Sequence, residues 1–178
     1  MARNVGSPVR LICALALVLI TPVVIGFVRW NDSPSVPVGV YLRDRQFQKG
    51  DFVEVCAPDR IVADGIDRGY IPFGGPCYRA TRPLVKVLAA IEGDVIDVTP
   101  AGITINGRRW PQSRRRYLTR GGEAITNWVP YGRRRLERGR VLVLGTHPDS
   151  WDSRVWSDIP SSCVRARWIP IPHLTSKG

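Results

Sequence analysis

Hydrophobic positions divide the chain into two unlike parts. Leu11 to Val28 is an uncharged run of 18 residues preceded by Arg3 and Arg10, and from residue 31 onward the apolar positions fall in short bursts separated by turn residues. A run of that length is at the short end for a membrane span, and Pro22 interrupts it. No A-x-A-like cleavage site follows it, so residues 1–30 read as an uncleaved anchor, with a cleaved signal segment as the alternative. In the body the bursts are Gly39–Leu42, Phe52–Cys56, Leu84–Ile91, Val95–Thr99, Ile103–Ile105, Val141–Leu144 and Val164–Ile171. Each is short and rich in Val, Ile or aromatic residues, as strands are. The stretch from Asp94 to Gly107 reads as a hairpin turning at Pro100 and Gly102, with Asn106-Gly107 opening a second turn. No helical periodicity of useful length is visible beyond the anchor. Residues 58–80 and 108–138 read as Gly- and Arg-rich excursions from a small β-barrel or sandwich. The expected architecture is therefore mainly β, with one N-terminal transmembrane helix ahead of a body spanning 31–178.

Composition supports a compact, turn-rich body. Hydrophobic residues are 44% of the 178, too many for a disordered polybasic chain, and 15 Pro with 17 Gly exclude a helical bundle. The net charge of +11 comes almost wholly from arginine, since only Lys49, Lys86 and Lys177 are lysines. The Arg clusters at 108–120 and 133–140 read as solvated loops, or as contacts to anionic lipid or an acidic partner. No nucleic-acid motif accompanies them, and a domain carried across the membrane by its anchor would meet none, so no nucleic-acid partner is expected.

Of the four cysteines, Cys13 lies in the apolar run and no C-x-x-C pair exists, which argues against a zinc site. Cys56 and Cys77 bracket a segment rich in Gly, Pro and Asp. In an oxidising compartment a disulfide between them would staple it, which makes the pair a candidate bridge. Cys163 reads as a strand thiol.

With only His147 and His173 present, a histidine-based triad has little to build on, and His147 reads as a loop residue. A serine deprotonated by a neutral lysine needs no histidine, but it does need a lysine stripped of water. Lys86 interrupts Leu84-Val85-Lys86-Val87-Leu88, the most apolar stretch of the body. It is either a strand lysine whose head reaches solvent or a base whose proton is easily lost. Arg cannot serve as that base, so a lysine placed there by a chain that otherwise prefers arginine is informative. Ser35 lies between Pro34 and Pro37, whose rings restrict the backbone around it. Ser150-Trp-Asp152-Ser-Arg154 supplies a polar cluster in which Asp152 can pair with Arg154 and Ser150 can orient an amine.

In order, these motifs are Ser35, Gly50-Asp51-Phe52-Val53, Lys86 through Gly93-Asp94, Asn106-Gly107, and Ser150 to Arg154. Together they resemble the Ser/Lys signal peptidases (S26) over about residues 33–160. The form Ser35-x-Pro37-x-Gly39-x-Tyr41 is similar to that of the TraF-type peptidases of conjugative transfer. The resemblance implies Ser35 as nucleophile, Lys86 as general base and Asp152 as the third required residue, acting with Arg154. It also implies Ser150 as a support for the amine and Ser33 as an oxyanion-hole contributor beside the Ser35 N–H. It implies an inner-membrane protein with its catalytic domain in the periplasm, using no metal or organic cofactor. Its substrate would be a pilin precursor or another membrane-associated protein. General leader-peptide cleavage and a non-catalytic envelope scaffold are the alternatives.

Overall fold

The structure is a computed structural model that describes residues 26–114, 117–119, 122–125 and 129–176, together with Arg10, Ile12, Cys13, Leu15 and Thr21. Most of the expected anchor therefore lies outside the described residues. Among those described, no helix is long and apolar enough to cross a membrane.

The elements run β1 (Val28–Asn31), β2 (Gly39–Asp44), β3 (Phe52–Val55), α1 (Asp59–Asp67), β4 (Leu84–Ala90), β5 (Val95–Thr99) and β6 (Gly102–Ile105). They continue with β7 (Arg108–Arg109), β8 (Gly132–Arg135), β9 (Arg140–Leu144), α2 (Ser153–Trp156), β10 (Ile159–Pro160) and β11 (Val164–Thr175). They form a seven-stranded sheet in the order β1-β2-β11-β3-β4-β9-β10 and a four-stranded sheet in the order β7-β6-β5-β8. Every pairing is antiparallel. The mainly β reading holds, and of the two expected forms, barrel or sandwich, the closed barrel is not met: neither sheet closes on itself.

Strands β4 and β9 explain why Leu84–Ile91 and Val141–Leu144 read as unbroken apolar runs. Leu88, Val141 and Val143 face a core completed by Val53, Val55, Ile61, Val62 and Trp156. Ala90, Leu142 and Leu144 instead face a second core with Ile96, Val98, Ile103 and Ile105 from the small sheet. Strands buried on both faces lose the alternation that marks a half-buried strand. The β5–β6 hairpin pairs Ile96 with Ile105 and Thr99 with Gly102. Asn106 (φ 48°) and Gly107 (φ 79°) then turn the chain into β7. Two successive positive φ values are what the Asn-Gly pair tolerates best.

Three features depart from the sequence reading. The 58–80 excursion contains a nine-residue helix, α1, which buries only Ile61, Val62 and Gly65. Three β-branched residues, a glycine and three aspartates obscure so short an apolar stripe. Gly65 is there because the chain folds back over it, and a Cβ would sit 2.4 Å from Ile71 Cδ1. The Arg-rich excursion holds β7 and β8, strands recruited through backbone pairing while most of their side chains stay exposed. Finally, the end of the apolar run enters a strand: β1 pairs with β2, Val28 opposite Leu42 and Asn31 opposite Gly39. Cys56, just past β3, is bonded to Cys77, with Cα atoms 5.4 Å apart.

Candidate active site

Residues 32–38 form the loop of the β1–β2 hairpin and carry Ser35. Lys86 enters from β4, directly opposite Val53 of β3. The other neighbour of β4 stops short of it, because β9 pairs Val87 with Leu144 and the chain then leaves the sheet through Gly145. The lysine head thus emerges where one strand has ended, beside the loop that replaces it.

The Lys86 ammonium nitrogen is 2.8 Å from Ser35 Oγ and 2.7 Å from Ser150 Oγ, and the two hydroxyls lie 3.1 Å apart. Lys86 is 3% exposed. Burial lowers its pKa to about 8, with Arg154 adding to the fall and Asp152 opposing it. Desolvation disfavours the ammonium, so the neutral amine, the form able to take a proton, becomes accessible near physiological pH.

Asp152 does not touch the serine. It is fully buried and accepts hydrogen bonds from Gly145 N (2.7 Å), Arg154 N (3.0 Å), Arg154 Nε (2.9 Å) and Arg154 Nη2 (2.5 Å). Burial alone would raise this carboxyl, but the guanidinium, Lys86 and the Gly145 amide outweigh it and hold it below the usual carboxylate range. Arg154 is fixed in turn by the carbonyls of Gln112, His147 and Pro148. The result is a bidentate ion pair that shapes the 145–154 turn and presents Ser150 to the amine.

Ser33, Ser35, Lys86, Ser150, Asp152 and Arg154 all converge. Ser33 Oγ accepts from the Ser35 N–H at 3.3 Å, so the two expected oxyanion donors are adjacent and at rest are bonded to each other. His147 borders the same cleft, its Nδ1 accepting from Asp149 N at 3.1 Å. Cys56 and Cys77 stand outside the site but tie down the segment from which Tyr70 and Pro72 line that cleft. The cleft is open, about 650 Å³, and passes between Ser33–Ser35 and Leu84–Lys86. Tyr70 stacks on Trp151 along one wall, with centroids 4.8 Å apart. Among the described residues no group of three or more His, Cys, Asp or Glu is arranged to hold a metal ion.

Two contributors escape a reading by residue type. Thr146 N donates to the Ser35 carbonyl at 2.7 Å, with Thr146 Oγ1 a longer second donor at 3.4 Å, and the shorter, backbone contact has no side-chain signature. Gly145 leaves room where a Cβ would lie 2.2 Å from Ser150 Oγ and 2.9 Å from the Ser35 carbonyl oxygen. Its place at the head of the Ser150 box is the one visible sign of that role.

The family described as signal peptidase, peptidase S26, matches residues 2–170. The plasmid transfer protein TraF of Escherichia coli is 35% identical over 85 residues, about half of each chain (47% and 48%). The conjugal transfer protein TraF of Agrobacterium tumefaciens is 29% identical over 151 residues, 82% of each chain. A probable conjugal transfer protein TraF of Sinorhizobium fredii is 27% identical over 143 residues, covering 78% of this chain and 73% of its own.

Proposed function

The chain belongs to the signal peptidase S26 family, and on that premise we propose that it is a membrane-anchored serine endopeptidase of conjugative transfer, with Ser35 as nucleophile and Lys86 as general base. A peptidase-like role in conjugation is supported by the family and by the transfer proteins it resembles. The observation that carries the finer reading is Lys86 Nζ at 2.8 Å from Ser35 Oγ in a pocket that lowers the lysine pKa to about 8.

The neutral Lys86 amine takes the Ser35 proton as Oγ attacks a peptide carbonyl. The developing oxyanion is met by the Ser35 N–H and the Ser33 hydroxyl once they release each other. The Lys86 ammonium, favoured by the nearby Asp152 charge, then protonates the leaving amine and leaves an acyl ester on Ser35. Water releases a linear product. If the substrate's own N-terminal amine attacks instead, a cyclic peptide forms and Ser35 recovers its proton.

The proposed substrate is a pilin precursor or another membrane-associated protein, the proposed location is the inner membrane with the domain in the periplasm, and lipid is the remaining expected partner. General leader-peptide cleavage is the nearer alternative and a non-catalytic envelope scaffold the farther one. Mass spectrometry of a co-expressed candidate pilin separates them. Cleavage that disappears in Ser35→Ala supports the enzyme, and a product lighter by one water than the linear fragment identifies cyclisation. A precursor whose mass is unchanged by the wild-type protein but which is still captured by it favours the scaffold.

A further inference from the structure

Asn31 closes β1 directly opposite Gly39 and is 4% exposed. Its side-chain amide turns into the loop it closes and donates to the carbonyls of Ser33 (2.8 Å), Pro37 (3.1 Å) and Val36 (3.4 Å). The Tyr41 hydroxyl also donates to the Pro37 carbonyl, at 2.5 Å, while the Ser35 carbonyl is taken from outside by Thr146 N. Four carbonyls of the loop around the nucleophile are thereby assigned to donors.

The exit of the loop is gripped separately. Ser176 N donates to the Val38 carbonyl at 2.7 Å, and Val38 N donates to Ser176 Oγ at 2.9 Å. Thr175 pairs with Gly39 and donates through Oγ1 to the Val40 carbonyl at 3.0 Å. Gly39, with φ at 150°, makes this approach possible, because a Cβ would lie 2.3 Å from the Leu174 carbonyl oxygen. The same clamp accounts for the spacing Ser35-x-Pro37-x-Gly39-x-Tyr41. Pro37 offers a carbonyl and no N–H, Gly39 admits the C-terminal strand, and Tyr41 reaches back to Pro37.

We propose that Asn31 is a positioning residue for Ser35, and that with Thr175 and Ser176 it forms a two-sided clamp holding the nucleophile loop against Lys86. This rests on the reading of Ser35 and Lys86 as a dyad. Asn31 touches no reacting atom. It fixes the backbone from which Oγ projects, so that rotation about the Ser35 side chain is the main freedom left.

The test uses the full chain in detergent, carrying Ser35→Cys with Cys13→Ser and Cys163→Ser so that the 56–77 bridge remains. The rate of alkylation by iodoacetamide is followed against pH. A thiol beside the Lys86 ammonium titrates below its ordinary range. Lys86→Met should raise the midpoint by about one pH unit or more, roughly a tenfold slower reaction below it. Asn31→Leu, similar in shape but without donors, should raise it similarly, Ser176→Ala by less, and Asn31→Gln should restore part of the loss. A purely structural defect would lower the thermal midpoint without moving the thiol titration. If Asn31→Leu does not fold, Asn31→Ser replaces it and the same upward movement is expected. An unchanged midpoint in the folded Asn31 variant, with Lys86→Met raised, overturns the clamp and leaves the dyad standing. An unchanged midpoint in Lys86→Met overturns the dyad itself.

Discussion

Two lysines of this chain meet opposite fates. Lys49, in the turn before β3, has a side chain 38% exposed and reaches both oxygens of Asp94 at 2.8 Å. Asp94 also accepts from Ile91 N and Asn106 Nδ2. Burial would raise that carboxyl, but Lys49 and these donors hold it below the usual range. Lys86 has a carboxylate in its neighbourhood as well, yet Asp152 is engaged by Arg154 and Gly145, and the amine hydrogen-bonds instead to two hydroxyls. Proximity to an acid does not distinguish the lysine suited to the proposed role of base. Access to water does, together with whether the acid is already committed to another donor.

Substitutions at the two sites test that contrast, and the largest effect belongs to the dyad. Ser35→Ala and Lys86→Arg should each lower processing by about 10³-fold or more, because a guanidinium keeps the charge but cannot act as a base. Retained processing in Lys86→Arg, measured on the co-expressed precursor, would break the comparison. Gly145→Ala should cost about 10²-fold, since its Cβ would have to displace both Ser150 and the Ser35 backbone.

Asp152→Asn strands the buried Arg154 charge, which should cost about 3 kcal/mol or more in denaturant unfolding. In whatever folded protein remains, the pH at which activity appears should fall, because the charge that favours the Lys86 ammonium is gone. In the wild type, acylation should rise with pH through about 8 and level off above it, following the neutral amine. A rate limb well above that pH would mean that the lysine is not desolvated as described.

The same lowering makes a stability prediction of opposite sense. Below about pH 8 Lys86 is charged in both states and the fold bears its desolvation. Between 8 and 10.5 the unfolded chain binds more protons, so stability rises with pH, and above 10.5 the difference is gone. Lys86→Met should therefore be inactive yet more stable at pH 7, by up to about 3 kcal/mol, with the gain shrinking as pH rises through that window. Lys49→Met should show the smallest effect, leaving activity unchanged and stability within about 1 kcal/mol, as expected for a partly exposed ion pair.

How far the sequence could be read depended on whether a signal was carried by residue type or by backbone. The seven strand bursts reappear within a few residues of their expected ends, because β-branched runs bounded by turn residues have few other uses. Lys86 stood out because an amine inside an apolar run is costly unless it has a purpose. Helix α1 was not legible, since its buried stripe is only three residues and Gly65 makes sense only once Ile71 has returned over it. Asn31 was hidden by its place at the end of an apolar segment, where nothing marks a strand. Thr146 acts on Ser35 mainly through its backbone amide, which any non-proline residue could supply.

The sequence by itself determined the chemistry available: a chain that spends arginine on its exposed charge, a lysine set among Leu and Val, a serine between prolines, and an Asp-Ser-Arg box. These are properties of residue type and near neighbours, which the chain carries whether folded or not. Only the tertiary structure decided that Ser35 and Lys86, 51 residues apart, lie 2.8 Å from one another and that Asp152 is bound by Arg154. That outcome depends on where β9 ends, on the path of the C-terminal strand past Gly39, and on which carboxylate water can still reach. These are distances and exclusions set by packing, and the one-dimensional pattern does not contain them.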